Sequence, residues 1–170
     1  MSLTREQRSI ARQIAAAWVT IAMITWPAVH FIHPSPFNTS LDAWAFSALL
    51  SISWLFIAVG VRAKERYLNP QEIGGSAPSA GSRAEIDARV LQNTLEQTIL
   101  MLTLTAILCQ LRPLHWYALL IAITFFFNVG RACFWWGYHR SVILRGYGFA
   151  LGFHALIMLF VFLVTQALSA

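Results

Sequence analysis

Arg89-Val90-Leu91-Gln92-Asn93-Thr94-Leu95-Glu96 opens one apolar segment, and Asn128-Val129-Gly130-Arg131-Ala132-Cys133-Phe134-Trp135-Trp136-Gly137-Tyr138-His139-Arg140-Ser141-Val142-Ile143-Leu144-Arg145 closes another. The first continues through Gln97–Leu111, which is almost wholly apolar. On a helix, Arg89, Asn93 and Glu96 fall at i, i+4 and i+7 and form one stripe. Arg131, Tyr138 and Arg145 step by seven, which keeps the first two on one face. An ionised Arg or Glu at bilayer depth costs several kcal/mol unless it meets a partner or a water-filled cavity. Two such stripes in one small chain are expected to face each other around something polar.

The composition explains why these charges stand out. The chain is 58% hydrophobic and 11% charged, with a mean hydropathy of +0.60. Soluble domains carry roughly a quarter charged residues, so this is the composition of an integral membrane protein in a lipid bilayer. The net charge of +5 is not a nucleic-acid patch. Ten of the twelve basic residues lie in three places: Arg5, Arg8 and Arg12; Arg62, Lys64, Arg66, Arg83 and Arg89; Arg140 and Arg145. That grouping is a positive-inside pattern. Cys109 and Cys133 both fall in apolar spans, so no disulfide framework is implied.

Taken in order, the chain predicts an all-α membrane bundle of five spans: Ile14–Ile32, Leu41–Val61, Ala84–Leu111, Leu114–Tyr138 and Tyr147–Leu168. Each is long enough to cross a hydrocarbon core of about 30 Å. Trp18 and Trp26 within the first run, and the lack of a small-residue cleavage site after it, argue for a retained span and not a signal peptide. His33–Ser40 reads as an uncharged turn, with Ser40 or Asp42 as the cap of the next helix. Gln71–Ser82 reads as a glycine-rich flexible loop, Arg112-Pro113 as a tight break, and His139–Gly146 as a short basic turn. The basic ends put the N-terminus, residues 62–89 and residues 139–145 on the cytoplasmic side, and the C-terminus on the other. Both polar stripes then open toward the cytoplasmic face.

These residues resemble the MAPEG family, the membrane-associated proteins of eicosanoid and glutathione metabolism. The family carries Arg, then Asn four residues on, then Glu three beyond, as Arg89, Asn93 and Glu96 do here. Its next helix carries Arg, then Tyr seven residues on, as in Gly130-Arg131 and Gly137-Tyr138. Leukotriene-C synthase, a member, continues through Arg-Ser to a further Arg, matched by Arg140-Ser141 and Arg145. Asn69-Pro70-Gln71-Glu72 looks like the family's Asn-Pro-acidic exit from its first helix. The likeness spans about Leu41 to Leu168. It divides the chain into residues 1–40, an N-terminal segment with an extra transmembrane helix, and 41–170, a MAPEG-like four-helix domain. Phe134 stands where family enzymes place Tyr or His, and Gln97 where leukotriene-C synthase has an aromatic residue.

The resemblance implies a homotrimer that binds glutathione between subunits as co-substrate and attacks a lipophilic electrophile, or reduces a lipid hydroperoxide. Glutathione carries two carboxylates, an ammonium and a thiol. Arginine suits carboxylates because its planar fork donates two hydrogen bonds at once, and a nearby cation favours thiolate over thiol. Arg89 and Arg131 are expected to take the carboxylates, Glu96 the ammonium, Asn93 a backbone amide and Tyr138 the peptide. Arg145 is the expected catalytic residue, stabilising the thiolate, with Arg62 and Arg140 at the mouth.

Spacing alone equally fits an interhelical ion network of Arg89, Glu96 and Arg131 that only holds the bundle together. A non-catalytic, lipid-binding or partner-activating relative is the alternative function. His30, His33 and His154 raise a haem reading, but no metal ligands cluster with them.

Overall fold

The computed structural model describes residues 4–32, 35–69 and 76–169. They form five helices: α1 (Arg5–Phe31), α2 (Ser40–Leu68), α3 (Arg83–Leu111), α4 (Trp116–Arg140) and α5 (Val142–Leu168). All five are long and apolar enough to cross a membrane, and with no water in the bilayer core a helix is one of the few structures that satisfies its own backbone there. The chain is an integral membrane protein built as an all-α bundle.

Helix ends differ from the sequence expectation where polar caps extend them. Thr4 caps α1 in a reciprocal box with Gln7, so the helix starts at Arg5 and not at Ile14. Neither Ser40 nor Asp42 is the cap of α2. Thr39 fills that position, and Asp42 returns the bond from the third helical position, its Oδ2 accepting from Thr39 N at 3.1 Å. The expected basic turn at His139–Gly146 is a single residue. Ser141 ends α4, its N–H donating to Gly137 O at 2.9 Å, and caps α5, its Oγ accepting from Leu144 N at 3.3 Å. Charge in this stretch suggested a loop, but a serine able to serve both helices removes the need for one. At the α3–α4 turn, Arg112 (φ 46°) and His115 (φ 61°) are left-handed, which lets the chain reverse over a few residues. Residues 71–75 of the expected Gln71–Ser82 loop lie outside the described residues.

α4 is the central element and packs against all four others, whereas α1 packs only on α4 and α5. Its buried face carries Leu120, Ile123, Phe126 and Phe127. Polar side chains tie α2 in: Ser47 and Thr124 hydroxyls meet at 2.6 Å, and Trp54 Nε1 donates to Asn128 Oδ1 at 2.9 Å. The α4–α5 approach is set by glycine. A Cβ on Gly130 would lie 2.8 Å from Gly148 O and 2.9 Å from Gly152 N, and one on Gly148 would strike the Phe134 backbone nitrogen. Small residues let membrane helices approach until their backbones touch, and here that contact fixes where Phe134 sits.

Candidate functional site

α3 starts after Ser82, and its helical period puts Arg89, Asn93 and Glu96 on one face, as the spacing predicts. That face lines a groove of about 660 Å³. Its other wall is Phe134 and Tyr138 of α4 and Phe149 of α5, and Pro78 stands at its edge. Four of the expected ligand residues, Arg89, Asn93, Glu96 and Tyr138, therefore share one groove. Arg89 is held by Glu85, Nη2 to Oε1 at 2.7 Å, and Glu96 accepts from Gln92 at 2.8 Å. Exposed i,i+4 pairs of this kind contribute only about 0.3–0.5 kcal/mol, so Arg89 can exchange its partner at little cost.

Arg131 reaches the groove through Asn93. Its side chain is 2% exposed, and Nη1 donates to Asn93 Oδ1 at 2.8 Å. Its guanidinium lies 4.6 Å from the Phe134 ring centroid and 5.9 Å from that of Phe127. Among the described residues no carboxylate pairs with it, and Nε and Nη2 have no hydrogen-bond partner. The Gln97 amide, 2% exposed, is likewise without a partner, and lies beside Arg131 where both approach the Cβ position of Gly152. A buried guanidinium is costly without compensation; cation–π contact with two rings offsets only part of that.

Arg145 does not line this groove. It lies on α5, its guanidinium 4.7 Å over the Tyr138 ring, and it faces a second cleft bordered by α1. Tyr138 thus carries the groove on one side and Arg145 on the other. Arg62 and Arg140 are not brought to the groove. Arg62 is buried and donates to Glu65 Oε2 at 2.8 Å. Arg140 stacks on Trp136 at 4.7 Å and borders a hollow with Trp54 and Trp135. His30 and His154 each bond a backbone carbonyl of their own helix; His33 lies outside the described residues.

Two residues emerge here that the sequence reading had not placed in the site. Phe149 forms groove wall beside Phe134, their rings 6.2 Å apart. The sequence does not link it to the site, since Arg145 falls in the expected turn and only the helix starting at Val142 puts Phe149 one turn after it. Gln97 is the other: it follows Asn93 by four, so the stripe continues inward beneath the groove.

The fold and groove define a helical membrane protein with a polar, arginine-bearing site set among apolar spans. A family model described as MAPEG matches residues 41–165. The chain belongs to the MAPEG family, and α1 precedes the matched region. Comparison with curated proteins and with solved structures gave no match.

Proposed function

We propose that this protein is a glutathione-dependent membrane enzyme, a transferase or a lipid-hydroperoxide peroxidase. The observation that carries the reading is Arg131: a buried cation without a counter-charge among the described residues, bonded to Asn93, which lines a groove with Arg89, Glu96 and Tyr138. Glutathione offers the missing charge. One carboxylate is taken up at Arg131 and Asn93, the other at Arg89, and the ammonium at Glu96. The tripeptide backbone lies against Tyr138, and the sulfur points to the end of the groove where Arg145 covers that ring.

Arg145 then lowers the thiol's affinity for its proton by electrostatic attraction to the thiolate. In conjugation the sulfur lone pair forms a C–S bond to the electrophilic carbon as that carbon's bond to its leaving group breaks, the leaving group departing with the electron pair, or, in an addition, as the π pair shifts to the neighbouring atom and is protonated by water. In the peroxidase reaction two glutathiones and one hydroperoxide give glutathione disulfide, an alcohol and water. The protein supplies thiolate and holds a polar and an apolar reactant together. The positive-inside pattern supports a cytoplasmic groove, a cytoplasmic N-terminus and a C-terminus on the opposite side. Family membership supports a homotrimer of the four-helix unit formed by residues 41–170, with α1 as an addition to it.

One observation favours a non-catalytic, lipid-binding role instead: Phe134 offers no hydroxyl or imidazole to the groove. The test is calorimetric titration with glutathione in detergent, with the ultraviolet thiolate band followed on the wild type, Arg145→Ala and Arg89→Ala. Binding with thiolate in the wild type, binding without thiolate in Arg145→Ala, and loss of binding in Arg89→Ala are expected. A wild type that ignores millimolar glutathione sinks the enzyme reading.

A further inference from the structure

The cleft that Arg145 faces lies between α5 and α1, the helix outside the family match. Its volume is about 570 Å³, within the roughly 300–1,000 Å³ typical of small-molecule sites. α1 supplies Glu6, Ile10 and Ile14; α5 supplies Arg145 and Phe149; α4 supplies Phe134. Phe134 and Phe149 also wall the groove of Arg89 and Asn93. The two compartments thus lie on opposite sides of one pair of rings, and Arg145, stacked on Tyr138, stands where they meet.

α1 is a fixed wall and not a loose anchor. Ala17 and Ile21 are 0% exposed. The Thr20 and Tyr147 hydroxyls meet at 3.0 Å, and Trp18 packs edge-on against His154 at 5.6 Å. Gln13 Oε1 occupies the space a Cβ on Gly146 would need. The lining has a direction. Glu6 and Arg145 lie near the starts of their helices, which begin at the same end of the bundle. Ile14, Phe149 and Ala150 lie deeper, with Gln13 and His154 as the polar members of that lining. One carboxylate and one guanidinium leave the mouth without net charge, which favours a neutral head over a fatty-acid anion.

We propose that α1, together with α5 and Phe134, forms the binding site for the second substrate, a neutral long-chain α,β-unsaturated carbonyl compound with its head at Arg145 and its chain along Ile10, Ile14 and Phe149. This rests on the glutathione reading of the adjoining groove. The reaction balances without an added oxidant: the thiolate sulfur bonds the β-carbon, the carbon–carbon π pair shifts toward the carbonyl oxygen beside Arg145, and the α-carbon takes a proton from water.

The test is photolabelling of the full chain in lipid nanodiscs, without glutathione, by a long-chain trans-2-alkenal carrying a terminal diazirine, with label positions read by mass spectrometry. Label is expected on the α1 segment holding Ile10 and Ile14 and on the α5 segment holding Phe149. Filling the cleft by Ile14→Trp should lower it about tenfold, the equivalent of overpacking by roughly 1.4 kcal/mol. Met23→Trp, at a lipid-facing position 70% exposed, should leave it unchanged. An excess of long-chain methyl ester should displace the label better than the matching acid. Label spread evenly over lipid-facing positions such as Phe56, or better displacement by the acid, would overturn the proposal even if Ile14→Trp did not fold. Because no glutathione is present, failure here is separate from failure of the calorimetric titration: label in the cleft of a protein that ignores glutathione keeps the binding site beside α1 but overturns both the enzyme reading and the site's role in a second-substrate reaction.

Discussion

The groove under α3 and the cleft beside α1 are of similar size, about 660 and 570 Å³, and share Phe134 and Phe149 as a party wall. They differ in how they treat polarity. The groove gathers Arg89, Asn93 and Glu96 on its face and backs them with the buried Arg131 and Gln97. The cleft has its Glu6 and Arg145 charges at the mouth, and beyond them a mainly apolar lining interrupted by Gln13 and His154. A bilayer rewards the second arrangement and penalises the first, so the polarity of the groove is the one that calls for a ligand. The contrast also locates the meeting point: Arg145 faces the cleft yet lies on the ring that lines the groove.

The comparison breaks first at the wall. Gly148→Val puts a branched side chain against the Phe134 backbone; overpacking of this kind costs about 1–3 kcal/mol, and the upper end is expected because backbone cannot swing aside. Thermal unfolding in detergent should fall, and glutathione binding and alkenal labelling should be lost together. Loss of only one would show that the wall is not shared. Next, Arg131→Met keeps most of the volume and removes the charge. Glutathione affinity should drop about 100-fold, in line with the 2–5 kcal/mol typical of a truncated buried charge contact, while labelling of the cleft persists. A calorimetric Kd equal to the wild type's would return Arg131 to a packing role.

Arg145→Ala acts on the junction. Turnover of a water-soluble electrophile should fall by about one to two orders of magnitude, somewhat less than removal of a preorganised oxyanion donor, with little change in glutathione Kd. The ultraviolet thiolate band separates this from a folding defect. The smallest effect is Thr20→Val, which removes the hydroxyl pair with Tyr147. Membrane hydrogen bonds of this kind average about 0.6 kcal/mol, so a slight loss of thermal stability with glutathione binding intact is expected.

Much of this was legible in the sequence for one reason: a bilayer makes every misplaced charge conspicuous. Five apolar runs announced five helices, and Arg89, Asn93 and Glu96 announced a face because nothing else in that segment explains them. Where polarity is not anomalous the signal fades. Phe149 looked like any other apolar residue of a span, though it is wall to both compartments. Arg140 and Arg145 read as one basic turn because charge near a membrane surface usually means a loop; their separation onto two helices depends on the cap geometry of Ser141. The placement of α1 was not legible at all, since its seat on Gly146 depends on the Gln13 side chain filling the space a Cβ would need, which no hydropathy pattern records.

The one-residue joint at Ser141 has a consequence for biosynthesis. A single residue spans less than 4 Å, so α4 and α5 cannot slip by a helical turn against each other, and Tyr138 meets Arg145 as soon as the hairpin closes. A ribosome reaches Phe149 only after α1, α2, α3 and α4 have been made. Neither compartment therefore exists on a nascent chain, and an interrupted translation product carries the arginines of α3 without a wall to enclose a ligand. Such a fragment lacks Phe149, the wall that both compartments share.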